Sequence, residues 1–450
     1  MNTPRTSGLF RNRDFSLLLS GQVVSAVGDQ AQGMALPLVV LALTGSPARA
    51  GLVLGLGTLS FLAFGLVAGA LADRFDRRAL MIWCDLGRAV LTAGVAAALW
   101  CGVLTTPQLY ATAVLSGLLT TLFQAASTAA LPSVVGPRQL TAALGWSQSA
   151  AGAVGVAGAS LAGALYAVGR IVPFAVNAVS FAASAASLRL VRARFRSEPP
   201  VGRRPEGDGG RRSAGRLAGE IREGLRWLWG RPVIRFLTLV SAADKIRYGA
   251  GYLLIITLAR QVGASPQWIG VIFSGAAAGT LAGALVSERA TRRFPLGRIA
   301  VVMLWSEALM FPLYALASGP LLLAVVAAAE SVVAPVYTVA MTTHQMAVTP
   351  DGLRGRAASA VSTLTTGALS VGTLAGGWLV AALGARPLVW LCGAWLLALA
   401  LLTTANRAVR QAPTAGALAP AGEDGEDGED GEDGEDGKDT APVLCPAPEA

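Results

Sequence analysis

Long apolar runs alternate with short polar interruptions twelve times along this chain. The runs cover residues 15–43, 50–72, 79–101, 108–131, 142–168, 171–191, 232–259, 267–287, 298–317, 320–343, 357–383 and 386–406. A helix needs about 20 apolar residues to cross a hydrocarbon core about 30 Å thick, and each run is long enough. Isolated strands are excluded, because backbone groups in lipid must be satisfied within the segment. The pattern predicts an all-α membrane protein with twelve transmembrane helices.

Charge fixes the expected orientation. With the N-terminus in the cytoplasm, the inside loops hold Arg5, Arg11 and Arg13, then Arg74, Arg77 and Arg78, Arg138, the long central loop, Arg289, Arg292, Arg293 and Arg298, Arg354 and Arg356, and Arg407 and Arg410. The outside loops hold one each, Arg49, Arg170, Arg260 and Arg386. Positively charged loops stay inside, so both termini are expected in the cytoplasm. The same reading explains the net charge of +9 in a chain with only 14% charged residues, and no aromatic-basic pattern supports nucleic-acid binding. Cys84, Cys101, Cys392 and Cys445 form no CxxC, so neither a disulfide framework nor a zinc site is expected. The basic segment Met1–Arg13 leads into a first helix that is expected to be retained rather than cleaved. An Ala- and Gly-rich composition that uses Arg over Lys points to a high-GC bacterium and its plasma membrane.

Residues 192–231 divide the runs into six and six. This stretch is polar and Gly/Pro-rich, and turns amphipathic near Ile221–Trp229, as a flexible linker ending in an interfacial helix would. The halves echo each other: Val24-Ser-Ala and Val240-Ser-Ala, Ala68-Gly-Ala-Leu and Ala282-Gly-Ala-Leu, Met81-Ile-Trp-Cys-Asp-Leu and Met303-Leu-Trp-Ser-Glu-Ala recur in the same order in corresponding spans. The expected organisation is therefore two pseudo-symmetric six-helix bundles, 1–191 and 232–408, with linker 192–231 between them and a tail, 409–450, after them. Parallel repeats of this kind place a transport site at the midplane between them. The tail carries five Glu-Asp-Gly triplets from Glu423 to Gly437, too charged and glycine-rich to form a core.

The loop between runs 2 and 3 reads Gly69-Ala-Leu-Ala-Asp-Arg-Phe-Asp-Arg-Arg78. It resembles the cytoplasmic motif of the major facilitator superfamily at Gly69, Leu71, Asp73, Arg74, Arg77 and Arg78, with Asp76 where the family has a second glycine. The resemblance implies a latch that holds one conformation and releases it as two six-helix bundles rock, with Gly69 allowing close helix approach. Phe10-Arg-Asn-Arg-Asp-Phe15, Asp85-x-x-Arg88 and Leu353-Arg-Gly-Arg356 resemble the macrolide-efflux-type branch of bacterial drug:proton antiporters. Span 5 carries Gly152, Gly155, Gly158 and Gly163, but Ala159 stands where proline follows in the antiporter motif. Gly275, Gly279 and Gly283 form a small-residue ladder read as helix packing.

Charges inside the runs are the sharper signal, since each costs about 2.5–3.5 kcal/mol at a helix centre on insertion scales. They are Asp29, Asp244, Lys245, Arg247, Glu307 and Glu330. The superfamily lines its cavity with helices 1, 4, 7 and 10, which implies proton-coupling or substrate-cavity roles for Asp29, Asp244, Lys245, Arg247 and Glu330. Helix 9 is peripheral there, so Glu307 is expected at a secondary gate with Asp85 and Arg88. Asp244 and Arg247 are spaced to pair along one helix. Lys245 points about 100° away and is joined only by Lys438 as a lysine in this chain. An Asp29–Lys245 lock between helices 1 and 7 is one reading of that pair. Tyr248, Tyr252, Trp305 and Tyr337 are candidates for stacking a substrate, or for plain packing, and the single histidine, His344, is assigned no role. No GxxxxGK[ST] loop, catalytic triad or metal spacing is present, so no enzyme activity and no cofactor are expected. The expected function is proton-coupled efflux of amphiphilic organic compounds, with a small-molecule substrate, protons and the lipid bilayer as partners of a monomer. Export of one metabolite or siderophore, and a non-transporting scaffold whose tail binds a partner, are the alternatives.

Overall fold

The computed structural model describes residues 9, 11–136, 139–192, 219, 222, 223, 225–350 and 353–410, without the side chains of residues 61, 66, 70, 73, 74, 141, 354 and 355. The Glu-Asp-Gly tail and most of the central linker lie outside the described residues. Six helices precede the linker: α1 (Arg13–Thr44), α2 (Pro47–Arg74), α3 (Arg77–Trp100), α4 (Thr106–Val134), α5 (Leu140–Val168) and α6 (Val172–Leu190). After it come α7 (Pro232–Gln261), α8 (Pro266–Arg293), α9 in two pieces (Leu296–Met310 and Leu313–Leu316), α10 in two pieces (Pro320–Glu330 and Val333–Val348), α11 (Arg354–Leu383), α12 (Ala385–Ala405) and the single turn α13 (Arg407–Arg410).

Among the described residues, ten of these helices are long and apolar enough to cross a membrane. The two that fall short show why. Asp244, Lys245 and Arg247 sit at the centre of α7, and α6 carries Asn177, Ser180, Ser184 and Ser187. These polar positions recur every three or four residues in α6, on the face turned to α1, where Gly21 and Gly28 receive them.

The turns at one end of the bundle are short because their residue types stop one helix and start the next. Gly45 and Gly384 end α1 and α11 with φ of +63° and +81°, a conformation that disfavours a Cβ. Proline then stands in the first turn of α2, α4, α6, α8 and α10, where its missing N–H would be unpaired in any case. This tight-turn end lies opposite the linker end, where the α2–α3, α8–α9 and α10–α11 connections lie.

Within the first half α1 packs on α5 and α6, α3 on α4 and α6, and α2 on α4; within the second α7 packs on α11, α8 on both pieces of α10, and α9 on α12. Across the halves α2 packs on α11 and α5 on α8. Glycine permits both cross-half contacts: a Cβ on Gly51 would lie 2.7 Å from the Gly377 Cα, and one on Gly163 would lie 2.6 Å from the Pro266 carbonyl. In α8, Gly275, Gly279 and Gly283 lie against the backbone of Ala324, Ala328 and Val332 of α10, so the small-residue ladder is a packing surface.

The hydrophobic cores define the shape. At the tight-turn end one continuous core joins both halves, from Leu38 and Val53 through Leu254, Ile269 and Leu388. At the linker end the halves have separate cores, one around Phe15, Met81 and Leu131 and another around Leu237, Met303 and Met341. The halves therefore meet at one end and part at the other, leaving a cleft. Leu228, in the short helical stretch at residues 225–229, is buried in the second of these cores, and Glu223 pairs with Arg356 at 2.6 Å. The end of the linker is thus attached to the second half.

Proline also explains the two interrupted helices. Pro312 separates the pieces of α9. Pro335 lacks an N–H and its ring crowds the carbonyl four residues earlier, at Ser331, where α10 breaks. Irregular backbone at such a depth is tolerated only where it is buried in protein or lines a cavity.

Candidate functional site

Each half encloses one buried arginine. In the first half Arg88 of α3 is 2% exposed. Its guanidinium donates to Asp85 one turn back and to Thr120 Oγ1 of α4 at 3.4 Å, and lies 3.7 Å from Asp29 Oδ2 of α1. The rings of Phe123 and Phe181 flank it at 4.8 Å and 4.2 Å, an arrangement that attracts a cation once water is removed. Beside the cluster Gln32 accepts from Asn177 Nδ2 (2.7 Å) and Thr92 Oγ1 (3.0 Å). A cavity of about 240 Å³ opens between α1, α2 and α4, lined by Gln32, Val53, Gly57, Ser116 and Thr120 among others.

In the second half Arg247 faces three carboxylates. Its Nε donates to Asp244 Oδ1 at 2.8 Å, Nη1 to Glu330 Oε1 at 3.0 Å and Nη2 to Glu307 Oε2 at 3.5 Å. Tyr314 Oη donates to the other oxygen of Glu330 at 2.9 Å, and the Phe311 ring lies 4.8 Å from the guanidinium. The proline breaks build this cluster: Phe311 and Tyr314 flank the interruption of α9, and Glu330 is the last residue before the interruption of α10. One guanidinium cannot neutralise three carboxylates, so the fully ionised cluster would carry two negative charges. Buried ions are stable only when paired and fully hydrogen-bonded, so the cluster carries more carboxylate than its one guanidinium can balance.

The remaining charges inside the helices, Asp29 and Lys245, are not fully buried. Asp29 is 45% exposed at its side chain. No ion pair joins it to Lys245 among the described residues; the Lys245 ammonium lies 4.9 Å above the Tyr248 ring instead. Glu307, expected at a secondary gate, is buried beside Arg247. Asp85 and Arg88, expected with it, are buried in the first half and pair with each other.

The family model of the Major Facilitator Superfamily matches residues 18–244 and again residues 237–423. The chain belongs to the major facilitator superfamily. It is a multi-pass membrane transporter and not an enzyme. It is 25% identical over 384 residues to the "Multidrug efflux pump Tap" of Mycobacterium tuberculosis, covering 82% of this chain and 87% of that protein. In fold it is similar to the nucleoside transporter NupG, with TM-score 0.68, 12% identity and coverage of 89% of this chain and 100% of that one. It is also similar to a bacterial homologue of the iron transporter ferroportin in an inward-facing state, with TM-score 0.66, 17% identity and coverage of 87% and 98%.

In this superfamily member the α2–α3 loop is anchored by its second half. Asp76, at the position of the missing glycine, caps α3 by accepting from the Ala79 N–H at 2.8 Å, as N-cap aspartates do. Arg77 Nη1 donates to the Ala129 carbonyl of α4 at 2.7 Å. Arg78 donates to the Leu188 carbonyl at 2.9 Å and to that of Arg189, the unpaired C-terminal carbonyls of α6. The side chains of Asp73 and Arg74 lie outside the described residues, and Leu71 is half-buried. At Gly69 a Cβ would meet nothing within 4 Å, so no helix approaches it closely in this conformation.

Sequence reasoning missed the residues around the arginines: Phe123, Phe181, Thr120, Phe311 and Tyr314. An aromatic ring in an apolar span carries no distinguishing signal. Asn177 did carry one, as the lone amide in α6 with serines at helical spacing beyond it.

Proposed function

We propose that this transporter exports amphiphilic organic compounds from a bacterial cell in exchange for protons. The observation that carries the reading is the surplus of carboxylate around Arg247, at the break of α10. Asp244, Glu307 and Glu330 share one guanidinium, so a proton taken up there removes an unfavourable buried charge. Asp29, partly exposed, supplies a second proton or cation site on the opposite wall. The relation to a multidrug efflux pump supports export and an amphiphilic substrate class, with macrolide-like drugs as the first candidates.

The arginine-rich loops lie at the linker end, so the positive-inside rule puts that end and both termini in the cytoplasm. The cleft then faces inward. Substrate enters the cleft, and protonation of Glu330 or Asp29 changes the balance of charges on its walls. The halves rock about the α2–α11 and α5–α8 contacts, and the α2–α3 loop latches the linker end when it closes. Arg77 and Arg78 hold that loop on the first half while it does so.

Everted membrane vesicles with a pH-gradient dye test the reading against macrolides, cationic dyes and siderophores. Collapse of the gradient on adding one compound class, lost in Glu330→Gln, is the expected result. No response to any class, from protein shown to be inserted and folded, refutes drug:proton antiport.

A further inference from the structure

Four residues on the cleft walls lie outside the Arg247 cluster. On α7 these are Lys245, Tyr248 and Tyr252, spaced by three and four residues and therefore on one helix face. The other faces of α7 are occupied. Ile246, Gly249 and Ala250 lie against α11 at Gly372, Thr373 and Gly376, and Asp244 and Arg247 turn to Glu307 and Glu330. On α1 the opposing residue is Asp29.

The register of the two walls is set at the apex of the cleft, where Tyr252 Oη donates to the Gly33 carbonyl at 3.5 Å. Both helices run from the linker end to the tight-turn end. Asp29 is four residues below Gly33, or about 6 Å, and Lys245 is seven residues below Tyr252, or about 10 Å, at 1.5 Å per residue. Opposite charges thus face one another below an aromatic roof. The roof continues onto α8, since Tyr252 stacks on Phe273 with ring centroids 4.7 Å apart, and Tyr248 is 59% exposed.

Neither charge is satisfied as the arginines are. The three acids of the second half are held by Arg247, and Lys245 has no carboxylate within 4.0 Å among the described residues; its neighbour is the Tyr248 ring. Asp29 has a long contact to Arg88, an arginine already bonded to Asp85, and the Asn177 amide beside it, yet its side chain stays 45% exposed. A lysine in a chain that otherwise spans the membrane with arginine supplies a compact ammonium on a flexible stem, suited to meeting a ligand rather than locking a helix pair.

Resting on the export reading above, we propose that this cleft recognises a zwitterionic amphiphile. Its flat apolar body lies on Tyr248 and Tyr252, its anionic group meets Lys245 and its cationic group meets Asp29. Lys245 and Asp29 are then specificity-determining residues, one on each half, and a substrate carrying both charges bridges the halves.

The test measures binding of three probes to the purified full-length chain: ciprofloxacin, which carries a carboxylate and an amine, its methyl ester, which keeps only the amine, and its N-acetyl derivative, which keeps only the carboxylate. Ciprofloxacin is expected to bind about tenfold or more tighter than either derivative, the range of one charge-assisted hydrogen bond. Lys245→Gln should remove its advantage over the ester, Asp29→Asn its advantage over the N-acetyl compound, and Lys245→Arg should retain both. Equal binding of the three probes overturns the proposal, as does a Lys245→Gln variant that weakens all three alike, which is the signature of an Asp29–Lys245 lock. Size-exclusion profiles identical to the parent's confirm that each variant is folded. Binding does not depend on proton coupling, so vesicles that respond to cationic dyes alone would keep the antiporter reading while equal probe binding removes this one.

Discussion

Arg247→Gln is the most discriminating perturbation of the coupling cluster. The substitution removes the one guanidinium that contacts Asp244, Glu330 and Glu307, at 2.8, 3.0 and 3.5 Å. Breaking a single buried ion pair by deleting one partner costs about 3–5 kcal/mol, because the other charge stays buried and unpaired. Here three carboxylates lose their partner, so the loss should reach at least about 3 kcal/mol, more than a hundredfold in the folded-to-unfolded ratio. The opposite substitution separates charge balance from simple packing. Glu307→Gln deletes the most distant of the three acids and leaves Asp244 and Glu330 on the arginine. The surplus falls from two charges to one, and the expected change is about 1 kcal/mol or less, or a gain. The double variant should recover part of the Arg247→Gln loss, with a coupling of about 0.5–3 kcal/mol. Heating the detergent-purified full chain and following its monodisperse size-exclusion peak gives all three values. A Glu307→Gln loss as large as that of Arg247→Gln, or an Arg247→Gln variant as stable as the parent, refutes the charge-surplus argument.

Three further outcomes follow from the geometry. Arg78→Ala should destabilise the first half by about 1.5 kcal/mol, since it frees two α6 carbonyls from a charged donor; a melting temperature equal to the parent's would remove the anchoring role. Cysteines at Ser160 and Ser274, whose hydroxyls are 2.7 Å apart across α5 and α8, should cross-link in the parent. They should do so poorly when Gly163→Val wedges the same helices apart, and undiminished cross-linking would contradict the close contact. Pro335→Ala should let α10 run through Ser331, holding or raising thermal stability while drug-dependent collapse of the proton gradient falls; parental transport would show that the break is not needed.

The twelve spans and their echo were legible because apolar length is a local property of a sequence. What each charge faces is not local. Glu307 illustrates the difference: its helix is peripheral in the superfamily, which suggested a gate, yet its side chain turns inward to Arg247. The signal was present in the aligned six-residue segments, where Asp85 and Glu307 occupy the same place in the two halves. Asp244 and Arg247, three residues apart on one helix, pair as their spacing implies. The Asp29–Lys245 lock does not appear, since Asp29 has Arg88 within reach and Lys245 has Tyr248. The helix interruptions were hidden inside continuous apolar runs, and only Pro312 and Pro335 betray them.

The repeated family match fits the burial of an acid on the third helix of each half, Asp85 and Glu307, but the two acids are held differently. In the first half the arginine lies on the same helix as its acid, so the Arg88–Asp85 pair itself joins no two helices, and Arg88 reaches α4 through the neutral Thr120. The inter-helix ion pair of Arg88, to Asp29, is the long one at 3.7 Å. In the second half the arginine lies on α7, and besides Asp244 of that helix its partners lie on α9 and α10, both interrupted beside the cluster. A proton on Glu330 would weaken the bond that ties the α10 break to α7, whereas a proton on Asp85 would weaken its pairing with Arg88 of the same helix. Under the proposed mechanism the second half therefore converts protonation into helix movement, while the first half keeps Asp29 presented to the cleft.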